Sequence, residues 1–383
     1  MWQPGLYLAE KQVENLKGQK RWSEFSKQRN RIPSVRVFQR PIFLQQSHPT
    51  TMPFKKIDVH HHLVTPAYKT ALEQNGGDPS GSWTPEGSIS ADEKSCEESG
   101  VGVTIFSLTA PGAGIAQGQS DRAAAALARE TNEYLASLRD ESPRTRGFFA
   151  CVLPPLTDTP AALEGVAHAL DVLKADGVTL FSRYGAPGSP NKYLGHADFG
   201  SAWQALNERR AVVFVHPTHA ADTDLIDPSL PQPIVDYPHE TTRTASGMIV
   251  AGTVDAHPDC KIILAHAGGT LPYLADRLLA LADTGLASKT ARDIKNAVRS
   301  SYHDVALSSS KKVVDVLLKV TTPDHILFGT DYPYAPPATI RSFPSRFNDA
   351  ELKEDFKYAI SRGNALKLFP RLAAYEEGKM EKT

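Results

Sequence analysis

From residue 56 onward the chain alternates between short, almost wholly apolar runs and longer stretches whose apolar positions recur at helical spacing. The short runs are Lys56–His62, Gly102–Leu108, Gly147–Leu153, Gly177–Phe181, Ala211–His216, Lys261–His266, Tyr302–Leu307 and His325–Gly329. They lack the in-and-out alternation of a strand with one wet face, which predicts strands covered on both sides. Helical patterns cover Asp121–Arg139, Pro160–Ala175, Phe199–Arg209, Thr241–His257, Leu271–Ala282 and Lys311–Val320, and the first connection, 66–100, is longer and holds a Gly/Ser/Trp loop. Strands alternating with helices predict parallel βαβ units. Eight such units predict a (β/α)8 barrel over residues 52–383.

Residues 1–51 break this rhythm. They carry nine basic residues against three acidic ones, with weak apolar periodicity. Met52 then opens Met52-Pro53-Phe54-Lys55-Lys56, which leads straight into the first apolar run. We expect Met52 to be the natural start and the leader to be a mis-called or alternative extension, poorly ordered. Glu10, Glu14 and Glu24 are unfavourable in a mitochondrial presequence.

Composition narrows the class. A chain of 383 residues, 41% apolar and 22% charged, is an ordinary globular protein, long for one domain but within the range of α/β barrels. A net charge of −1 supplies no basic stripe, so neither nucleic acid nor a membrane surface is expected as a partner. No apolar run is long enough to span a bilayer. Cys96, Cys151 and Cys260 are too few and too scattered for a disulfide framework, which points to a reducing, cytoplasmic setting.

In barrels of this kind the active site lies at the C-terminal ends of the strands. The first run ends His60-His61-His62. Side chains two apart on a strand face the same way, so His60 and His62 share a side and His61 faces the other. The fifth run ends on His216. The sixth ends on His266, followed by Ala267-Gly268-Gly269, and the eighth continues into Gly329-Thr330-Asp331. A lone histidine after a strand is more often a satisfied polar residue, and a lone Gly-Thr-Asp a turn. Four strand ends converging on one rim instead predict a metal-dependent active site, of a donor type that suits zinc or manganese.

Over residues 55–370 this pattern resembles the amidohydrolase superfamily. The resemblance implies His60, His62 and His216 as metal ligands, Asp331 as a further ligand or proton carrier, and His266 as a nearby acid, base or electrophile. Binuclear members place a lysine at the end of strand 4. Here that strand reads Gly177-Val178-Thr179-Leu180-Phe181-Ser182-Arg183-Tyr184, and Lys174 lies before it, which implies one divalent metal. His266-Ala267-Gly268-Gly269-Thr270-Leu271-Pro272, Glu240-Thr241-Thr242 and Gly329-Thr330-Asp331-Tyr332-Pro333 look like the branch typified by aminocarboxymuconate-semialdehyde decarboxylase. The chain has its His-x-His rather than its Glu-x-His opening. Ser107-Leu108-Thr109-Ala110-Pro111-Gly112, Leu180-Phe181-Ser182-Arg183-Tyr184-Gly185 and Asp236-Tyr237-Pro238-His239-Glu240-Thr241-Thr242-Arg243 resemble the fungal 6-methylsalicylate decarboxylases most.

That resemblance implies non-oxidative loss of CO2 from a small aromatic hydroxy acid, 6-methylsalicylate giving 3-methylphenol, in polyketide secondary metabolism. It also implies a homodimer in which Arg277 holds a substrate carboxylate in the neighbouring subunit; a solvated helix arginine is the plainer reading. Residues 70–100 contain no arginine, a departure from the semialdehyde enzymes that favours a monoacid. Arg183 is a second candidate for the carboxylate, or a structural ion pair. Trp83 either roofs the pocket or packs its own loop. Glu240 and Asp304 are candidates for orienting the ligands. Two other readings use the same residues: a metal-dependent hydrolase of a lactone, ester or amide, and a barrel that binds without catalysis.

Overall fold

A computed structural model describes residues 54–378, apart from 119, 153–158, 186–190, 287 and 349–351. The leader, residues 1–51, and the expected start at Met52 lie outside the described residues. Eight parallel strands form one sheet in sequential order: β1 (Lys56–His62), β2 (Val101–Ser107), β3 (Arg146–Cys151), β4 (Gly177–Phe181), β5 (Val212–His216), β6 (Lys261–Leu264), β7 (Tyr302–Asp304) and β8 (Ile326–Leu327). The seam between β8 and β1 is closed by Val59 N–H to Phe328 O (3.0 Å), Asp331 N–H to His60 O (2.9 Å) and His62 N–H to Tyr332 O (2.7 Å). These bonds pair backbone groups of the two strands across the seam, as a buried sheet edge requires.

The helices outside are α1 (Pro66–Gln74), α2 (Ile89–Ser99), α3 (Asp121–Glu141), α4 (Thr159–Ala167), α5 (Gly200–Glu208), α6 (Gln232–Ala251), α7 (Leu271–Leu279), α8 (Ala291–Ser300) and α9 (Lys311–Val320). Their starts are where side-chain oxygens meet the free amides of the first turn. Ser120 caps α3 through Ala123 N–H, and Thr290 forms a reciprocal box with Asp293 on α8. The first connection is more regular than its polar sequence suggests, holding α1 and α2. Helix α6 starts nine residues before the expected Thr241 and runs through Pro238. Pro233 near its start is compatible with a first turn, whose amides have no intrahelical partner. Pro238 removes one hydrogen bond without ending the helix.

Two layers of core hold the barrel. One lies between strands and helices. The other fills the barrel itself, where Ile57, Val59, Val103, Ile105, Phe149, Phe214, Ile263 and Leu327 pack with Phe369 from below. The Phe149 and Phe214 rings stack at 5.4 Å. Full burial of one such ring is worth roughly 1.5–3 kcal/mol. The C-terminal helices close the lower end: Arg371 binds the Asp176 carboxylate (2.9 Å) and the Arg146 carbonyl (3.0 Å), both at the entry of strands. The upper, C-terminal end of the strands is left for chemistry.

Candidate metal centre and pocket

Strict alternation along β1 would align His61, not His60, with Ile57 and Val59. The pairing with β2 slips between Asp58 and His61, and this resets the phase. Ile57 and Val59 fill the barrel while the His60 ring lies 5.0 Å from Phe214 inside it. Asp58 holds the irregularity: its carboxylate accepts from His60 N–H (3.1 Å), Thr330 N–H (3.1 Å) and the Thr330 hydroxyl (2.5 Å). Gly329 is the space beneath His60, because a Cβ there would stand 2.6 Å from the Cβ of His60.

His60, His62, His216 and Asp331 are all buried, and one donor atom from each lies within 4.8 Å of the others. The outer nitrogen of each imidazole is engaged. His60 Nδ1–H donates to Asp304 Oδ2 (3.0 Å), His62 Nδ1–H to Ser107 Oγ (2.9 Å) and His216 Nδ1–H to Pro217 O (2.7 Å). The Nε2 lone pairs therefore point inward. Nε2 of His60 and of His62 are 3.1 Å apart, and each is 3.3 Å from Asp331 Oδ1. Three acceptors at such separations repel unless a cation sits among them. Nitrogens bound to one tetrahedral ion at about 2.0–2.1 Å stand about 3.3 Å from each other, so the spacing fits a zinc-sized ion.

The field agrees. Burial alone would lower the His60 pKa, but the Asp304 and Asp331 carboxylates override it and raise it to about 10, so positive charge is stabilised at this point. Burial lowers the pKa of His62, and burial with the neighbouring imidazoles holds His216 well below the ordinary histidine range. Both are neutral, as ligands must be. Burial would raise Asp331, yet His60, His266 and His62 hold it well below the usual carboxylate range.

β6 stops at Leu264, two residues before the sequence pattern suggests, because the chain turns left-handed at His266 (φ 55°) and Ala267 (φ 58°). Left-handed backbone costs a side-chain-bearing residue of order 1–2 kcal/mol. Asp304 offsets it, since its Oδ1 accepts from His266 N–H (3.2 Å) while its Oδ2 holds His60. The turn aims His266 Nε2 at Asp331 Oδ2 (3.4 Å), and its buried Nδ1 has no partner. Asp331 is itself left-handed (φ 62°), pinned by its N–H to His60 O.

The remaining candidates separate. Arg183 is committed to the protein: Nε–H donates to His219 O (2.8 Å), Nη2–H to Ala220 O (2.8 Å) and Nη1–H to Asn191. It staples the rim and offers no free fork to a carboxylate. Glu240 reaches none of the four ligands. It accepts from Tyr193 O–H (3.1 Å) and stands 3.6 Å from Arg243 and 4.0 Å from Arg183, so its charge faces these two guanidiniums; on α6 it is the Tyr237 ring that lies against His216, at 6.3 Å. Trp83, 59% exposed, leans on Tyr334 (6.5 Å), whose ring lies 5.7 Å from His62. Arg277 is exposed on α7, beside Tyr273, which is 83% exposed. His61 faces outward, between Asp58 (2.9 Å) and Asp92 (2.6 Å), and those hydrogen bonds outweigh burial to raise its pKa to about 9. Ser107, Asp58 and Tyr237 are residues that sequence reasoning passed over. Ser107 had a signal, as the polar residue at the end of an apolar run.

Comparison with known proteins now has a geometry to meet. The amidohydrolase family model matches residues 57–371. The chain is 47% identical to a 6-methylsalicylic acid decarboxylase of Penicillium expansum over 320 residues, covering 83% of this chain and 97% of that protein. It is 44% identical to a 6-methylsalicylic acid decarboxylase of Aspergillus aculeatus, over 85% of this chain and 99% of the relative. Its fold matches a dihydroxybenzoic acid decarboxylase from Polaromonas, solved with bound manganese, at a TM-score of 0.70 and 22% identity, covering 83% and 97% of the two chains.

Proposed function

From the premise that this chain belongs to the amidohydrolase family, matched over residues 57–371, we propose that it decarboxylates a small hydroxybenzoic acid, 6-methylsalicylate yielding 3-methylphenol and CO2. The observation that carries this is the cluster of His60, His62, His216 and Asp331 with His266 3.4 Å from the aspartate. It combines a cation site with a proton site, and no redox group is required.

Direct loss of CO2 would leave an unstabilised pair of electrons in the ring plane. Protonation of the carboxylate-bearing carbon comes first, giving a dienone-like ring as the ortho hydroxyl gives up its proton. Carbon–carbon cleavage then releases CO2 and restores aromaticity as the phenolate, which takes back the proton its hydroxyl had given up. A divalent ion held by His60, His62, His216 and Asp331 would supply a Lewis acid for the substrate's oxygens. Zinc is our assignment, with manganese compatible with the same donors and present in the Polaromonas structure. His266, 3.4 Å from Asp331, supplies the proton that reaches the ring carbon by way of that carboxylate. Asp304 keeps His60 in the tautomer that faces inward and fixes the His266 turn. Trp83, whose ring stands 6.5 Å from Tyr334, is proposed as the roof that keeps water from the substrate.

The quaternary proposal is a homodimer in which Arg277 enters the neighbouring pocket, supported by its exposure beside Tyr273. The setting proposed is cytoplasmic; among the described residues no helix is long and apolar enough to cross a membrane. The test is a panel of hydroxybenzoic acids that includes 6-methylsalicylate, with metal content measured and CO2 and phenol both followed. Stoichiometric CO2 and 3-methylphenol are expected. Turnover of lactones or amides without CO2 release would replace this reading with the hydrolase.

A further inference from the structure

The outer face of β1 carries a second group of donors that the chemistry above does not use. Among the described residues, His61, Asp92 and Cys96 each place one donor atom within 4.8 Å of the other two. Asp92 and Cys96 are four apart on α2, so they share one face of that helix, and this face meets the end of β1. Asp92 Oδ1 accepts from His61 Nε2–H (2.6 Å) and, more loosely, from the Cys96 thiol (3.6 Å). His61 and Asp92 are buried and Cys96 is half-buried, so protein walls the group and solvent reaches it from the Cys96 side.

The arrangement repeats the logic of the inner centre. His61 Nδ1–H is held by Asp58 Oδ2 (2.9 Å), as His60 Nδ1–H is held by Asp304, which fixes the ring and commits Nε2 to the cluster. The Tyr332 ring stacks on His61 at 4.8 Å and keeps it from turning. The next carboxylate on α2, Glu93, is drawn away by Arg146 (2.8 Å). Charge balances as well. With an N–H toward each carboxylate the His61 ring is cationic, and with Asp58 and Asp92 the group carries one net negative charge. A divalent ion that displaces the Nε2 proton and the thiol proton leaves that net charge unchanged, so burial does not oppose the exchange. In a tetrahedral site with nitrogen and oxygen at about 2.0–2.1 Å and sulfur at about 2.3 Å, oxygen stands about 3.5 Å from sulfur and about 3.3 Å from nitrogen. The first separation matches the 3.6 Å between Asp92 and Cys96 as it stands. The second requires the His61–Asp92 pair to open by about 0.7 Å as its proton leaves.

We propose that His61, Asp92 and Cys96 form a second cation site, for a divalent ion that accepts thiolate, such as zinc, cobalt or cadmium. This goes beyond the decarboxylase reading and does not rest on it. A mixed set of nitrogen, oxygen and sulfur donors favours such ions over magnesium or manganese, which prefer oxygen. The inner centre fills first, because its donors already stand an ion's width apart. The outer ion then ties α2 to the strand end that carries His60 and His62, and stabilises the fold at that rim.

The test is titration of the metal-free full chain with Co2+ alone at mildly alkaline pH, with ions per chain counted by native mass spectrometry. A thiolate bound to Co2+ gives a charge-transfer band in the near ultraviolet, which the inner centre, with no sulfur donor, does not produce. We expect the band to develop with the second ion in wild-type protein. Cys96→Ser and Asp92→Asn should stop at one ion without the band, while Cys151→Ser and Cys260→Ser keep both ions and the band, with circular dichroism to verify each fold. In His216→Ala the inner ion is lost and the band should remain. Excess Zn2+ should raise Tm beyond its one-ion value in wild type and not in Cys96→Ser. A band that survives in Cys96→Ser, or that disappears in His216→Ala, overturns the proposal. One ion and no band at any Co2+ loading of wild-type protein also overturns it, and leaves the inner centre and the decarboxylase reading standing.

Discussion

Asp304 is the residue whose replacement tests the site most directly. Take Asp304→Asn, which preserves shape and removes one charge at a fully buried position. The orientation of the amide is decided by its surroundings. Oδ1 of the aspartate accepts from two backbone amides, His266 N–H (3.2 Å) and Ala306 N–H (2.9 Å). The asparagine must keep its oxygen there, because its NH2 would otherwise face two donors in a dry site. Its NH2 then points at His60 Nδ1, 3.0 Å from the replaced oxygen. His60 Nδ1 becomes an acceptor, and its proton moves to Nε2, the atom that faces the metal position.

The variant therefore folds but presents a protonated nitrogen where a lone pair is needed. Replacing the partner that orients a ligand histidine costs about 10–100-fold in metal affinity, roughly 1.4–2.7 kcal/mol. The assay is competition for zinc against a chromogenic chelator, with circular dichroism to verify the fold. Decarboxylation at saturating zinc should recover only in part, since the His266 turn shares the same carboxylate. Zinc affinity within a factor of about two of wild type would refute the tautomer argument.

Other outcomes follow from the same geometry. His216→Ala should lose bound metal and turnover together, and stoichiometric metal with full turnover would sink the ligand assignment. Gly329→Ala places a methyl 2.6 Å from the Cβ of His60 and should cost about 1–3 kcal/mol in denaturant unfolding, with weaker metal binding. The His61 pKa is raised from 6.5 to about 9 in the fold, so its contribution is full below 6.5 and is lost as pH rises through 9. In metal-loaded His61→Gln the fall of Tm across that window should flatten, and an unchanged profile would assign it to other groups. Arg277→Ala should raise KM or abolish turnover without unfolding; mixed with His216→Ala it should regain some activity, and mixed dimers with none would argue against a shared pocket.

The barrel was legible because burial on both faces writes a strand as a continuous apolar run, and eight such runs leave few other architectures. The four strand ends were legible as positions for a related reason, since a polar residue that ends such a run has few places to go. What escaped depended on local backbone departures. The slip at Asp58, which turns His60 inward beside Ile57 and Val59, has no period to betray it. The left-handed turn at His266 ends β6 early, though Gly268-Gly269 hinted at a chain reversal. Helix α6 hid behind Pro238, which reads as a stop and is tolerated within the helix. Which of its two readings Arg183 takes, and where Glu240 points, escaped because charge type alone does not say whether a guanidinium meets a ligand or the carbonyls of His219 and Ala220.

Charge balance ties these pieces into one argument. The centre holds two carboxylates, Asp304 and Asp331, among three ligand imidazoles that are neutral once a cation is present. A divalent ion brings that set to zero. A hydroxybenzoate then adds one negative charge, and a second as its phenol ionises. That surplus favours moving a proton from His266 through Asp331 to the ring, because the transfer places positive charge where the excess lies. Loss of CO2 leaves a phenolate, and once it regains the proton its hydroxyl had given up both products are neutral, so the field that drew the acid in has no hold on the phenol.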